Sequence, residues 1–335
     1  METTSNKSGF NKRKAYIFIL DHVIEVCLIL MVIGLAFGAN RFLTWANWMN
    51  ILRANSLKGV IAFGMTMVII AGQIDLSIGS TVGLSGVIVA LFCRDLTAAG
   101  MDLTLACILG MVVSLLMAVL VGWLHGVFQQ KTGLPAFIIT LTSLYALLGL
   151  AGRLSEGFPI PNQFPDWYNQ LGGGRIGGTM GIPIPAIFLL VCFLIVWFIM
   201  KFTTIGRATY AVGGNPESAR LSGINVGKTK IIAFIIVQVL AVISGFMTSG
   251  QVMAGTFTFG KGWELDVISA VVVGGTSFTG GAGTVWGTLI GVIFMGVLSN
   301  GMTLLNIDVH SQYIVKAAVM FLAVLLSSYR SKIKA

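Results

Sequence analysis

Long apolar runs, interrupted mainly by glycine, serine and threonine, restrict this chain to very few folds. Of its 335 residues, 56% are hydrophobic and only 10% are charged, and the mean hydropathy is +0.91. A soluble core of this size does not need so much apolar surface, whereas a helix that spans a bilayer needs about 20 consecutive apolar residues. The pattern therefore predicts an all-α polytopic membrane protein, folded as one domain over residues 1–335.

Ten apolar runs are long enough to cross the membrane as helices. If the N-terminus lies in the cytoplasm, an even number of crossings returns the C-terminus to the same side. Asp21 and Glu25 interrupt the approach to the first run, which favours an uncleaved span over a signal peptide. The predicted spans are residues 16–38, 56–73, 75–93, 103–128, 134–152, 183–201, 230–250, 264–281, 283–300 and 312–328.

Lysine and arginine are concentrated in the segments that this topology places in the cytoplasm. Of the 21 basic residues, 4 lie in the N-terminal tail, 5 in and beside the central loop, over residues 201–230, and 3 in the C-terminal tail. Because basic loops are retained on the cytoplasmic side, residues 1–15, 202–229 and 329–335 are predicted to be cytoplasmic. The same retention explains the net charge of +9 without a nucleic-acid partner. Three basic residues run against the rule, namely Arg41, Arg53 and Lys58.

The stretch from Gly214 to Ile224 predicts a short, well-capped helix inside the central basic loop. Asn215 suits the N-cap, and Pro216 falls at the first helical position, where a missing N–H costs nothing. Gly223 can end the helix in a left-handed conformation. A self-sufficient helix in a loop of a membrane protein indicates a contact surface for a partner. Its residues are Gly214, Asn215, Pro216, Glu217, Ser218, Ala219, Arg220, Leu221, Ser222, Gly223 and Ile224.

Polar residues between Gly72 and Thr81 interrupt the membrane pattern, and two interpretations stay open. In the first, a helix is broken beside a translocation pathway, because charge at membrane depth is tolerated only under protein or beside a water-filled cavity. In the second, the segment is a tight interfacial turn capped by an acid or a hydroxyl. Acids at the start of the eighth span are likewise either interfacial charges or part of an ion pair or gate that includes Lys316. The candidate pathway or gate residues are Gln73, Asp75, Ser77, Glu264 and Asp266.

The sequence contains no pattern typical of a catalytic or metal site. The three histidines, His22, His125 and His310, are scattered near predicted span ends, which is typical of interfacial positions. The segment Gly227–Thr229 resembles part of a phosphate-binding loop, but the required glycine five positions earlier is Ser222. No cofactor is therefore expected on this chain, and it is not expected to be an enzyme.

Two further patterns concern helix packing. Gly283, Gly287 and Gly291 recur every four residues and predict one close-packing helix face. The stretch Asn47–Leu57 is too polar for a span and predicts an interfacial helix before span two. Its position mirrors that of the 214–224 helix before span seven, so an inverted repeat is possible.

Several motifs, in order along the chain, resemble the membrane permease subunits of bacterial ABC sugar importers, the group typified by the ribose permease. The likeness extends from about residue 45 to 326 and is weakest in the loop 153–182. It is specific for the family and says little about the sugar. The motifs are Gly64–Thr66 leading to Ile74–Ser80, Gly213–Ile224, Glu264–Ser277 with Gly280–Gly281, and Gly287–Gly291.

This resemblance implies a type II importer-like fold in the bacterial inner membrane, built from two permease copies. Two cytoplasmic ATPase subunits that bind ATP and Mg²⁺ would drive transport, and a periplasmic binding protein would deliver a monosaccharide, either a ribose-like pentose or a hexose. Residues 215–222 match the coupling helix that docks on the ATPase. The alternatives are an ABC permease for nucleosides or branched-chain amino acids, and an ion-coupled secondary transporter using Asp75, Glu264 and Asp266.

Overall fold

The structure, a computed structural model, describes residues 22–161 and 163–334, with side chains in the last helix up to residue 325. The predicted N-terminal tail and the start of the first predicted span lie outside these residues. The described part of the chain forms thirteen helices and four two-residue strands. The helices are α1 (Val23–Gly38), α2 (Trp45–Ile70), α3 (Ile78–Ala98), α4 (Leu103–Thr132), α5 (Ala136–Leu154), α6 (Asp166–Gly173), α7 (Ile184–Phe202), α8 (Thr204–Gly214), α9 (Pro216–Leu221), α10 (Val226–Val252), α11 (Trp263–Val273), α12 (Val285–Leu304) and α13 (Val309–Lys334).

The strands only fasten loops together. β1 (Ile160–Pro161) pairs antiparallel with β4 (Ala254–Gly255), and β2 (Arg175–Ile176) pairs antiparallel with β3 (Ile182–Pro183). The first pair ties the long loop after α5 to the segment after α10. The protein is therefore helical throughout its packed interior, as the sequence predicts.

Seven of the described helices are long and apolar enough to cross a membrane, namely α2, α3, α4, α5, α7, α10 and α12. Two shorter apolar helices, α1 and the 309–325 part of α13, fall at predicted spans. The predicted span 264–281 is wrong in its second half, since α11 has 11 residues and ends at Val273. Its end is set by Gly275, whose φ of +88° is unfavourable for any residue with a side chain.

The stretch Asn47–Leu57 is helical, as predicted, but it is the first half of the continuous helix α2 rather than a separate helix. Its Asn47 binds another helix. Asn47 and Asn300 exchange two side-chain hydrogen bonds of 3.0 and 2.9 Å. A polar group satisfied by protein can lie inside a membrane helix at little cost.

The core is centred on α2 and α10, which pack against each other and are each covered by further helices. Of the most apolar window of α2, 78% is buried inside the protein, against only 11% for α5. With so little of it buried, α5 is at the periphery of a single copy. At Gly64 of α2, a Cβ atom would lie 2.7 Å from Val237 Cα of α10, so the two backbones approach as closely as glycine allows.

α11 and α12 approach each other through glycine. A Cβ atom at Gly287 would lie 2.1 Å from Gly274 O, and one at Gly291 would lie 2.0 Å from Ala270 O. Gly283 does not share this face, because it precedes the helix start at Val285 and lies against Thr276. The prediction of a three-glycine face is thus wrong for Gly283, while the other two positions form the contact.

We expect Gly291→Val to lower the free energy of unfolding by about 1–3 kcal/mol, because the new side chain meets backbone that cannot move aside. The matched control is Gly149→Val in α5, where a Cβ atom meets nothing within 4 Å. Denaturation of both purified variants in detergent measures the difference. Equal stability of the two variants would contradict this packing assignment.

Candidate functional site

Two helices begin within the fold, and their first turns lie side by side. α3 starts at Ile78 after the non-helical segment 71–77, and α11 starts at Trp263 after the segment 253–262. A Cβ atom at Gly79 would lie 2.3 Å from Gly260 O and 2.8 Å from Glu264 Oε2. Because the first turn of a helix carries unpaired N–H groups and a partial positive charge, two such starts make a polar centre inside an apolar protein.

The sequence ends α2 and redirects the chain through one glycine. Gly72 has a φ of +73°, and the N–H of Gln73 donates to Val68 O at 2.9 Å, closing the last turn. The side chain of Gln73 accepts a hydrogen bond from Gln129 of α4 at 2.7 Å. The chain then runs without helix to Ser77, which precedes α3.

The carboxylate of Asp75 is fully buried and holds this segment in place. Its Oδ1 accepts hydrogen bonds from the backbone N–H and the hydroxyl of Ser77, at 2.9 and 2.7 Å. Its Oδ2 accepts from Gln238 Nε2 of α10 at 2.7 Å and lies 3.4 Å from His125 Nδ1 of α4. The carboxylate thus caps the turn before α3, as the second interpretation expects, and it is enclosed by protein, as the first requires.

Further hydrogen bonds extend this Asp75 cluster to four helices. Gln238 also donates to Ser77 Oγ at 2.8 Å and accepts from Thr81 Oγ1 of α3 at 2.6 Å. His125 Nε2 lies 2.8 Å from Ser143 Oγ of α5. The interfacial position predicted for His125 is therefore wrong, because the residue is only 2% exposed and faces a carboxylate.

A second cluster surrounds Asp266, near the start of α11. Its carboxylate forms ion pairs with Lys58 of α2 and with Lys316 of α13, the latter at 3.3 Å. The ammonium group of Lys58 also lies 5.4 Å from the centre of the Trp263 ring. This cluster is partly exposed, since the Lys58, Asp266 and Lys316 side chains are 31%, 23% and 18% exposed. Lys316 is thus part of an ion pair rather than a lone interfacial charge.

A cavity of about 290 Å³ opens beside the two helix starts. It lies between the first turns of α3, the middle of α5 and the segment that leads into α11. Among the described residues, no lysine or arginine forms an ion pair with the Glu264 carboxylate at its edge. The lining residues are Leu76, Gly79, Ser80, Leu141, Leu144, Tyr145, Leu148, Phe257, Phe259, Lys261, Gly262, Glu264 and Leu265.

The predicted pathway residues fall into three places around this cavity. Glu264 lines it, Asp75 and Ser77 lie behind its wall in the Asp75 cluster, and Asp266 belongs to the second cluster. Gln73 lies apart, against α4. Sequence reasoning missed most of the lining, including its aromatic residues and its lysine, because these residues belong to no polar motif, although the aromatic residues between glycine and threonine at 255–260 were a signal. The missed aromatic and basic residues are Tyr145, Phe257, Phe259 and Lys261.

At one end of the fold, α9 has the capped geometry that the sequence predicts. Asn215 Oδ1 accepts from the N–H groups of Glu217 and Ser218 at 3.0 and 2.9 Å, and Gly223 has a φ of +82°. The neighbouring Arg220 guanidinium lowers the pKa of the exposed Glu217 carboxyl. Leu221 is 77% exposed, an unusual position for a large apolar side chain and one that suits a contact surface.

α8, the helix before α9, connects this surface to the end of α2 and to the loop after α11. A Cβ atom at Gly213 would lie 1.6 Å from Ile70 O, the last residue of α2. The same carbonyl accepts from Gly281 N at 2.9 Å, and Tyr210 OH donates to Gly283 O at 2.8 Å. α8 therefore touches the segment that enters α3 and the loop that leaves α11.

Comparison with known proteins gives matches over nearly the whole chain. The family described as branched-chain amino acid transport system / permease component matches residues 47–324. The chain is 37% identical to the ribose import permease protein of Haemophilus influenzae, over 93% of this chain and 94% of the relative. It is 37% identical to the Bacillus subtilis ribose import permease protein over 91% of each chain, and 31% identical to the xylose transport system permease protein of Escherichia coli over 97% and 95%. No solved structure matches the chain.

Proposed function

This chain belongs to the family of branched-chain amino acid transport system permease components, and we propose that it is the membrane-spanning subunit of an ATP-driven, binding-protein-dependent sugar importer. The observation that carries this proposal is the similarity to ribose and xylose permease proteins over at least 91% of the chain. The transported molecule is a monosaccharide, a ribose-like pentose or a hexose. The chain is a transport subunit rather than an enzyme, and the ion-coupled alternative is not favoured.

Ten helices form the membrane part in this proposal, with α11 as a half-length member. They are the seven long helices together with α1, α11 and α13. Both termini and residues 202–229 face the cytoplasm of a bacterial inner membrane, in agreement with the distribution of basic residues. α3 and α11 then start near the middle of the bilayer, the arrangement that many transporters use at their substrate sites.

An inverted repeat is supported by the way the helices pack. α10 packs on α3 and α4, and α2 packs on α11 and α12, so the two long helices occupy equivalent places. Each long helix anchors the helix of the other repeat that starts inside the fold. Gln238 of α10 binds Asp75 before α3, and Lys58 of α2 binds Asp266 in α11. The segments Asp75–Ser77 and Glu264–Asp266 have the same order of residue types: an acid, then a leucine, then a polar residue.

The two clusters have different roles in this arrangement. An uncompensated buried ion costs several kcal/mol, so the sealed cluster around Asp75 stays closed and supports α3. The cluster around Asp266 is partly exposed, so its ion pairs cost less to separate than a fully buried charge, and it is the one that opens as a gate. Two lysines share its carboxylate.

The pairing of two lysines with one carboxylate predicts which substitution costs more. We expect Asp266→Asn to lower the free energy of unfolding by about 1–3 kcal/mol and to reduce uptake strongly, because two lysines lose their partner. We expect Lys58→Met to cost less than about 1 kcal/mol, since Asp266 keeps Lys316. Chemical denaturation and uptake assays on both variants give the order. The reverse order would contradict the shared-carboxylate arrangement.

Energy enters through α9 in this proposal. α9 docks on a cytoplasmic ATPase subunit that carries ATP and Mg²⁺, and the exposed Leu221 supplies the contact. α8 passes the displacement to Ile70 and Gly281. A second copy of the chain covers the apolar face of α5 that is exposed at Phe137 and Ile138, and lipid covers the rest of the membrane surface.

Reconstitution in vesicles tests the function. With the ATPase subunit, ATP and a sugar-loaded periplasmic binding protein, we expect uptake of a labelled pentose or hexose. Vesicles that contain this chain alone under an ion gradient should show none. Uptake by the chain alone would identify a secondary transporter, and ATP-driven uptake only of nucleosides or branched-chain amino acids would overturn the sugar assignment.

A further inference from the structure

We propose that the cavity beside α3 and α11 is a transit site for one monosaccharide, in which aromatic side chains contact the C–H face of the ring and Glu264 accepts hydrogen bonds from its hydroxyls. This inference rests on the proposed function. The cavity contains the groups that such a ligand requires, and each of them comes from a different segment of the chain: Ser80 from α3, Tyr145 from α5, Phe257 and Phe259 from the segment after α10, and Glu264 from α11.

The size of the cavity suits a small polar molecule. At about 290 Å³, it lies at the lower end of the range of small-molecule sites, roughly 300–1,000 Å³. It is formed where two helix starts converge, and their N–H groups give the wall a partial positive charge. A monosaccharide offers hydroxyls to polar walls and C–H groups to apolar ones, so it fits both kinds of surface that are present.

Glu264 is available to a ligand. Its carboxylate forms no ion pair within residues 22–161 and 163–325, unlike Asp75 and Asp266, which are engaged by other helices. It lies close to the start of α3, since a Cβ atom at Gly79 would be 2.8 Å from Glu264 Oε2. The carboxylate accepts backbone hydrogen bonds at Gly262 and Glu264 in its own turn. A carboxylate has about four lone-pair sites, so the remaining ones can accept sugar hydroxyls.

The aromatic side chains and one hydroxyl complete the site. Tyr145, Phe257 and Phe259 give the cavity flat apolar faces, and the phenol of Tyr145 adds a polar end. Ser80 Oγ donates its proton to Leu144 O at 2.8 Å, which leaves its lone pairs to accept from a ligand. A site of this kind distinguishes sugars by the position of their hydroxyls, because an unmatched polar group in a half-buried site is costly.

The test uses the complete importer in vesicles and compares sugars that differ at one hydroxyl. We expect Glu264→Gln and Tyr145→Ala to reduce ATP-driven uptake by about 10-fold to 100-fold, the effect of losing one strong contact, and to change the preference between sugars. Tyr313→Ala, which changes an exposed aromatic residue of α13 outside the cavity, is the matched control and should transport normally.

A second measurement reports occupancy even if those variants fold poorly. Leu148→Cys places a thiol in the cavity, and Cys27→Ser removes the exposed native cysteine while Cys93, Cys107 and Cys192 are buried. We expect saturating sugar to slow maleimide labelling of this thiol about 10-fold. Unchanged labelling together with unchanged sugar preference in Glu264→Gln and Tyr145→Ala would overturn the site. Failure of the unchanged importer to take up any sugar would instead overturn the proposed function.

Discussion

Asp75→Ala should abolish ATP-driven uptake and lower the free energy of unfolding by about 3–5 kcal/mol, the cost of removing one partner of a buried charged cluster. The carboxylate is fully buried and accepts hydrogen bonds from Ser77 and Gln238. Without it, the N–H and hydroxyl of Ser77 lose their acceptor inside the protein, and Gln238 loses its hydrogen bond to the segment before α3. Uptake assays and chemical denaturation of the purified variant measure both effects.

The matched control is Asp95→Ala, which removes an exposed acid whose side chain is 59% exposed and paired only with Arg94. It should change stability by less than about 1 kcal/mol. A double-mutant cycle adds a sharper criterion, because replacing both members of a buried polar pair with apolar groups can be nearly neutral. Asp75→Ala combined with Gln238→Leu should therefore cost less than the sum of the single changes. Strict additivity would mean that the hydrogen bond between them contributes nothing.

Gly223→Pro should uncouple ATP hydrolysis from transport while leaving the membrane helices in place. Gly223 has a φ of +82°, which proline cannot adopt, and its N–H donates to Arg220 O at 3.0 Å. Backbone strain of this kind costs about 1–3 kcal/mol, enough to displace the end of α9. We expect uptake to fall at least about 10-fold and the ATPase subunit to be retained less well on the purified chain.

Gly223→Asn is the matched control, since asparagine tolerates a left-handed backbone and nothing lies within 4 Å of a Cβ atom at this position. It should transport nearly as well as the unchanged chain. Normal membrane insertion of both variants, judged by solubilisation and gel filtration, separates uncoupling from misfolding. If Gly223→Pro supports full ATP-driven uptake, α9 is not the segment that carries force.

α9 shows how far local sequence information extends. Its N-cap, its first proline and its left-handed end are all within eleven residues of one another, and the structure forms each of them as the sequence predicts. The last contact, from Ile224 N to Ala219 O at 3.0 Å, also closes within the same stretch. Hydrogen bonds over so few residues depend on residue type and hardly on the rest of the fold.

Some errors of sequence reasoning concern polar residues whose partners are remote in the chain. Asn47 looked interfacial because its partner Asn300 is 253 positions away, and His125 looked interfacial because the segment it faces is redirected by Gly72. The half-length of α11 follows from Gly275, whose backbone conformation the apolar run conceals. Contacts between helices supply the partners of these polar groups and thus decide which polar residues are buried inside the protein.

The sequence by itself determined the membrane class, seven of the ten predicted spans and the capped helix α9, because run length and short-range hydrogen bonding carry that information. Only the tertiary structure decided where the chemistry lies. The link between Gln238 and Asp75 joins residues 163 positions apart, and the cavity takes its lining from α3, α5, α11 and the segment between 253 and 262. These residues come together only when the helices pack, and so no local sequence pattern predicts the cavity.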